Sequence, residues 1–106
     1  MHLSKKDRRA IIAMCCTVAR ADGFVSAGEF EYLMDILGRL SRGSVTFGEL
    51  QSWLDEGPPS IDVILSEDLL QIFLHEAVAV AHADGQVDES EIWTIKSLVR
   101  RFFDRG

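Results

Sequence analysis

The chain lacks any apolar run near the roughly 18–20 residues that a bilayer-spanning helix needs, so no transmembrane segment is expected. No apolar core or small-residue cleavage site follows Met1 to Lys6, so no secretory leader is expected and the expected location is cytoplasmic. Cysteine is scarce, and the two present, Cys15 and Cys16, are adjacent within an apolar stretch. Neighbouring side chains on a helix point about 100° apart, so a bridge between these two would be badly distorted. A disulfide framework is excluded; buried, reduced thiols are expected, with a vicinal pair binding a soft metal or metalloid as the alternative. Proline occurs only at Pro58 and Pro59, behind Gly57, which leaves a single strong break in the chain. No stretch alternates apolar and polar residues as a half-buried strand would.

Positive charge is also short. Eleven basic against 17 acidic side chains give a net charge of −6. Such a surface repels phosphate backbones, which disfavours general nucleic-acid binding, and it suits cations or basic protein surfaces. Catalytic motifs are missing too. There is no nucleophile elbow, phosphate loop or nucleophile–base pairing. His75-Glu76 lacks the second histidine of a zinc-protease helix. His75 and His82 would stand roughly 10 Å apart along a helix, too far to share one ion. A non-enzyme is expected.

What is present is a repeat. Val18 to Glu29 (VARADGFVSAGE) and Val80 to Glu91 (VAHADGQVDESE) are identical at seven of twelve positions. Chance predicts roughly one. At the same offset of 62 residues, Phe30, Leu33, Leu37 and Leu40 map onto Ile92, Ile95, Val99 and Phe102. Both sets have the spacing of a core-facing helical stripe. Each half therefore reads helix, short Asp-Gly loop, helix. The fold class expected is all-α: a compact helical bundle of two pseudo-symmetric helix–loop–helix halves with short connecting helices. Residues 1–106 should form one domain, with halves at about 5–41 and 67–104 and a connector at 42–66.

Local signals fill in the elements. The first helix, about residues 5–21, should bury Ile11, Cys15 and Val18, with Ile12 and Ala19 beside them. Its counterpart, about 67–83, offers Leu70, Phe73, Leu74, Ala77 and Ala81. Gly23 and Gly85 stand where a left-handed residue would end each helix. Ser26 with Glu29, Asp88 with Glu91 and Thr46 with Glu49 have capping-box form, so helices should start at all three, the middle one running to about Asp55. Phe102 and Phe103 are adjacent, so one of them is expected at the surface. Lys5, Lys6, Arg8 and Arg9, and at the other end Arg100, Arg101 and Arg105, form basic patches. By default these are solvated; adjoining, they would suit an acidic protein partner or peripheral contact with anionic lipid.

Asp22 and Asp84 each sit at a helix C-terminus, where the macrodipole disfavours a negative charge by some tenths of a kcal/mol. A compensating partner is called for. It is either local, in the backbone N–H groups of the turn, or a cation held jointly with Glu29 or Glu91. Asp-Gly-x-Val-x-x-x-Glu matches the second half of a calcium-binding EF-hand loop. The first half is missing, with Val18 and Arg20, and Val80 and His82, at the leading ligand positions. An ordinary EF-hand is thereby excluded. A weaker site richer in water, or one shared between the two loops, stays open beside the capping reading.

Paired Ala-x-Ala-Asp-Gly-x-Val-x-x-x-Glu elements joining helices resemble the TerB-like family of tellurite-resistance and stress-response proteins. The resemblance covers about residues 11–40 and 67–103, although the chain is short for the family and its connector has no matching acidic cluster. It implies a helical fold with the two motifs facing each other, and cytoplasmic work in membrane-associated complexes. It also implies divalent-metal binding (Ca, Mg, Mn or Zn), with Asp22, Glu29, Asp84 and Glu91 as ligands. The alternative is a protein–protein interaction module in which the same acidic residues only cap helices.

Overall fold

Ser4 begins the first helix. Its hydroxyl accepts from the Asp7 N–H at 3.0 Å while the Asp7 carboxylate accepts from the Ser4 N–H at 3.2 Å. The computed structural model describes residues 3–61, 65–83, 85 and 87–103. Asp84 therefore lies outside the described residues. Five α-helices follow one another: α1 (Lys5–Ala19), α2 (Ala27–Ile36), α3 (Phe47–Glu56), α4 (Glu67–His82) and α5 (Glu89–Phe102). A π-helical turn, Leu37–Ser41, extends α2 and ends at Arg42 in the left-handed region. Among the described residues there is no strand, only one isolated parallel bridge between Leu65 and Phe103. The all-α expectation holds. No described helix is long and apolar enough to cross a membrane.

The 62-residue offset recurs in the elements themselves. Moved by that amount, α1 falls on α4 and α2 on α5. α1 packs chiefly on α4, and the crossing contacts are matched, α1 with α5 and α4 with α2. That exchange is the mark of an approximate two-fold relation. α1 is the central helix and also touches α3 and the π turn. It is consequently buried around its whole girth from Ala10 to Cys16, beyond the one-sided burial its periodicity predicts. In α4 the buried line is Leu69, Phe73, Glu76, Ala77, Val80 and Ala81, while Leu70 and Leu74 are only half-buried.

Three expectations need correction. The stripes of α2 and α5 are turned by one residue at their first and third positions, with Leu37 and Val99 only half-buried. The buried sets are Glu29, Leu33 and Ile36, and Glu91, Ile95 and Leu98, leaving Phe30 and Ile92 half-buried. Each capping box thus holds its own glutamate on the buried face of its helix. Phe102 and Phe103 are both buried. The helix ends at Phe102, and extended backbone at Phe103 (φ −115°, ψ 112°) swings that ring back onto Phe73, with centroids 5.6 Å apart. The N-terminal basic patch is largely occupied by the protein itself. Arg8 donates to the Leu3 and Leu40 carbonyls, and Arg9 to the Ser44 carbonyl and Glu49.

Candidate functional site

The glycines of the two Asp-Gly motifs are held alike. Gly23 donates to the Arg20 carbonyl at 2.9 Å, and Gly85 to the His82 carbonyl at 3.0 Å. Both glycines are left-handed, with φ of +85° and +86°, and so close the preceding helix. Asp22 is exposed, and its Oδ1 accepts from the Phe24 N–H at 3.0 Å. That is the local turn contact expected of an aspartate before glycine. His82 donates through Nδ1 to the Val78 carbonyl at 2.9 Å, one turn back along its own helix.

Each loop leads into its capping box. Ser26 N–H donates to Glu29 Oε1 at 2.9 Å, and Asp88 N–H to Glu91 Oε1 at 3.4 Å. One oxygen per glutamate satisfies the cap. Both glutamates are only 2% exposed, and they meet side by side at the seam. Burial first, and then the neighbouring Glu29 carboxylate, pushes the Glu91 carboxyl up from its ordinary 4.5 to about 8. Asp22 reaches the same end and adds its charge to that effect. Asp88 is held below its usual value, first by the Ser90 hydroxyl and N–H and, to a lesser degree, by Asp22.

Glu91 Oε2 is buried without a hydrogen-bond partner. The third capping box provides an internal comparison. Glu49 caps Thr46 in the same way, but it is partly exposed and Arg9 lies 3.1 Å from its second oxygen. Among the described residues no cationic side chain pairs with Glu29 or Glu91. Two unit charges about 4 Å apart repel by roughly 4 kcal/mol even at an effective dielectric near 20. A capping contact contributes only about 1 kcal/mol. The pair therefore does not hold two full charges without a compensating proton or cation.

Of the four residues predicted from the sequence, Asp22, Glu29 and Glu91 are brought to one end of the molecule, and Asp84 lies outside the described residues. Among the described residues, no three or more His, Cys, Asp or Glu side chains converge closely enough to hold a metal ion. Sequence reasoning missed the depth of the two glutamates. A signal was available: Glu29 precedes Leu33 by four residues and Ile36 by seven, so it shares their helical face. It also missed Glu76, which is buried and accepts from Tyr32 Oη at 2.8 Å and from both terminal nitrogens of Arg39 at 2.8 and 3.0 Å. Burial opposes ionisation of Glu76, but these bonds outweigh it and the carboxyl sits below its usual value.

The cysteines take no part in the site. Both are buried, and burial pushes their thiols up, Cys16 to about 12. Burial therefore favours the protonated thiol in both. No protein-family model, curated protein or solved structure matches the chain.

Proposed function

We propose that this chain is a non-catalytic domain of the TerB-like kind that binds one divalent cation across the seam between its halves. The observation that carries this reading is the buried Glu29–Glu91 pair, with Glu91 Oε2 unpartnered. Its donor set is made of hard carboxylate oxygens, which fits calcium, magnesium or manganese better than a soft ion that prefers thiolate. Glu29 and Glu91 would supply the inner oxygens. Asp22 and its repeat partner Asp84 would close the site from the loops, with water completing the shell. When bound, the ion would neutralise the two glutamates and tie the loops to each other. Service in stress response or tellurite resistance, and in the cytoplasm, rests on the repeat motif's resemblance alone.

Titration with calcium, magnesium, manganese and zinc, followed by amide NMR, tests this reading. Amides of both loops, residues 20–29 and 82–91, should shift together at millimolar ion or below. The double variant Asp22→Asn, Asp84→Asn keeps most of the turn hydrogen bonding but loses two anionic ligands, so its affinity should fall at least about ten-fold. If both proteins respond identically to ion and chelator, the carboxylates serve only as caps, and the interaction-module reading takes over.

A further inference from the structure

Arg20, just past the end of α1, reaches across to α3. Its Nε donates to the Leu54 carbonyl at 3.0 Å and so helps to close the C-terminus of that helix. Glycine at position 57 makes room for it, since a Cβ there would stand 3.1 Å from Arg20 Nη1. The bond to Leu54 occupies one of the five guanidinium donors. Those on the two terminal nitrogens have no partner among the described residues, and no carboxylate pairs with the charge. A half-buried guanidinium with idle donors is open to a carboxylate.

Arg20 lines a cleft of about 540 Å³ between the first Asp-Gly loop, the start of α2 and the second half of α3. That volume lies within the roughly 300–1,000 Å³ of small-molecule sites. Phe24, Val25, Phe30 and Leu54 supply its apolar wall, and Gln51 and Asp55 its polar side on α3. Phe24 is 68% exposed, so its ring has little of the protein to pack on. Asp55 is exposed too, and among the described residues no cation pairs with it. Arg20 and Asp55 thus bring opposite charges to one cleft without pairing with each other. The cleft is peculiar to the first half. In the repeat, Arg20 is replaced by His82, which bonds back to its own helix, and Phe30 by Ile92. The wall formed by α3 has no repeat partner among the described helices.

We infer that this cleft binds a free α-amino acid with a large apolar side chain. Its carboxylate would sit on Arg20, its ammonium group toward Asp55, and its side chain against Phe24, Phe30 and Leu54. A zwitterion answers two opposite charges set apart in one cleft. A simple anion would be repelled by Asp55, and a simple cation by Arg20. The terminal nitrogens of an arginine can take both oxygens of a carboxylate at once, which fixes the ligand's orientation. Seating a side chain of leucine or phenylalanine size on Phe24 removes apolar area from water on both partners. Neither Glu29 nor Glu91 lines the cleft, so this site stands apart from the cation reading of that pair.

Titration of the whole chain with leucine and phenylalanine, followed by amide NMR in chelator so that no metal response is read, tests the inference. Amides of residues 24–27 and 51–55 should shift together, with a Kd of about 1 mM or below. Phenylalanine amide lacks the carboxylate and 3-phenylpropanoate lacks the ammonium group, so each should bind at least about ten-fold more weakly. Because Arg20 also closes α3, its replacement changes stability as well as binding. Asp55 and Phe24 are exposed, so Asp55→Asn and Phe24→Ala should keep the wild-type circular dichroism. Asp55→Asn should weaken phenylalanine at least about ten-fold without weakening 3-phenylpropanoate, whereas Phe24→Ala should weaken both. No shifts at about 20 mM of either amino acid would overturn the inference. So would equal binding of phenylalanine, its amide and 3-phenylpropanoate, equal phenylalanine binding by wild type and Asp55→Asn, or the same shifts from acetate alone.

Discussion

Gly23 and Gly85 hold left-handed backbone with open space where a Cβ would stand, nothing lying within 4 Å of it. Substitution there carries backbone strain and no clash. Gly23→Val or Gly85→Val should each cost on the order of 1–2 kcal/mol, read as a lower urea midpoint at unchanged slope. An unchanged midpoint in both would mean that the left-handed ending is dispensable. Arg39 is a different kind of residue. It ties the π turn to α4 through Glu76, and its Nε holds Asp35 at 2.7 Å. Arg39→Ala leaves Glu76 buried with only the Tyr32 hydroxyl. The expected cost is about 2 kcal/mol, less than for a wholly buried pair because Arg39 is itself partly solvated. The depressed Glu76 carboxyl adds stability that is present at neutral pH and lost as pH falls through its folded value. That acid-side loss should be weaker in the Arg39→Ala protein. Equal acid sensitivity would show that the pair does not act as a unit.

At the scale of elements, the helices were legible because their signals are local. Caps at Ser26, Thr46 and Asp88, and glycines at 23 and 85, lie within a few residues of the boundaries they set. Periodicity located the stripes but misjudged their phase. It counts only apolar residues and so passed over Glu29, Glu76 and Glu91, each of which lies on a buried face. Phe103 was misjudged because a helical wheel has no place for a residue that leaves the helix. α5 separates the two cases experimentally. Phe103→Ala removes the ring stacked on Phe73 and should cost about 3 kcal/mol. Trp93→Ala, on the same helix, should change stability by no more than about 0.5 kcal/mol, since its ring is mostly in water. Thermal denaturation of the pair checks both. Comparable losses would mean that Trp93 packs against the domain.

At the scale of the molecule, the two-fold relation places identical carboxylates face to face. The repeat left a shared site open and the family resemblance implied facing motifs, but a shared buried pair depends on the crossing of α1 with α5 and of α4 with α2, which no local pattern encodes. The consequence is a pH dependence of unusual sign. The folded Glu91 carboxyl holds its proton up to about 8, whereas the unfolded chain releases it near 4.5. Between those values the folded state binds more protons, so stability falls as pH rises and levels off above the window. A divalent ion competes with that proton, so its stabilising effect should grow over the same range. Glu91→Gln keeps the cap acceptor, removes one charge and can donate to Glu29. The most direct measurement is therefore the melting temperature of wild type and Glu91→Gln from about pH 5 to about pH 9, in chelator and in millimolar calcium or manganese. Wild type in chelator should melt lower at pH 8 than at pH 5, with metal restoring the loss at pH 8 only, while Glu91→Gln stays level and indifferent to metal. Parallel curves for the two proteins, unmoved by metal at every pH, would contradict a buried carboxylate pair that holds a proton or a cation.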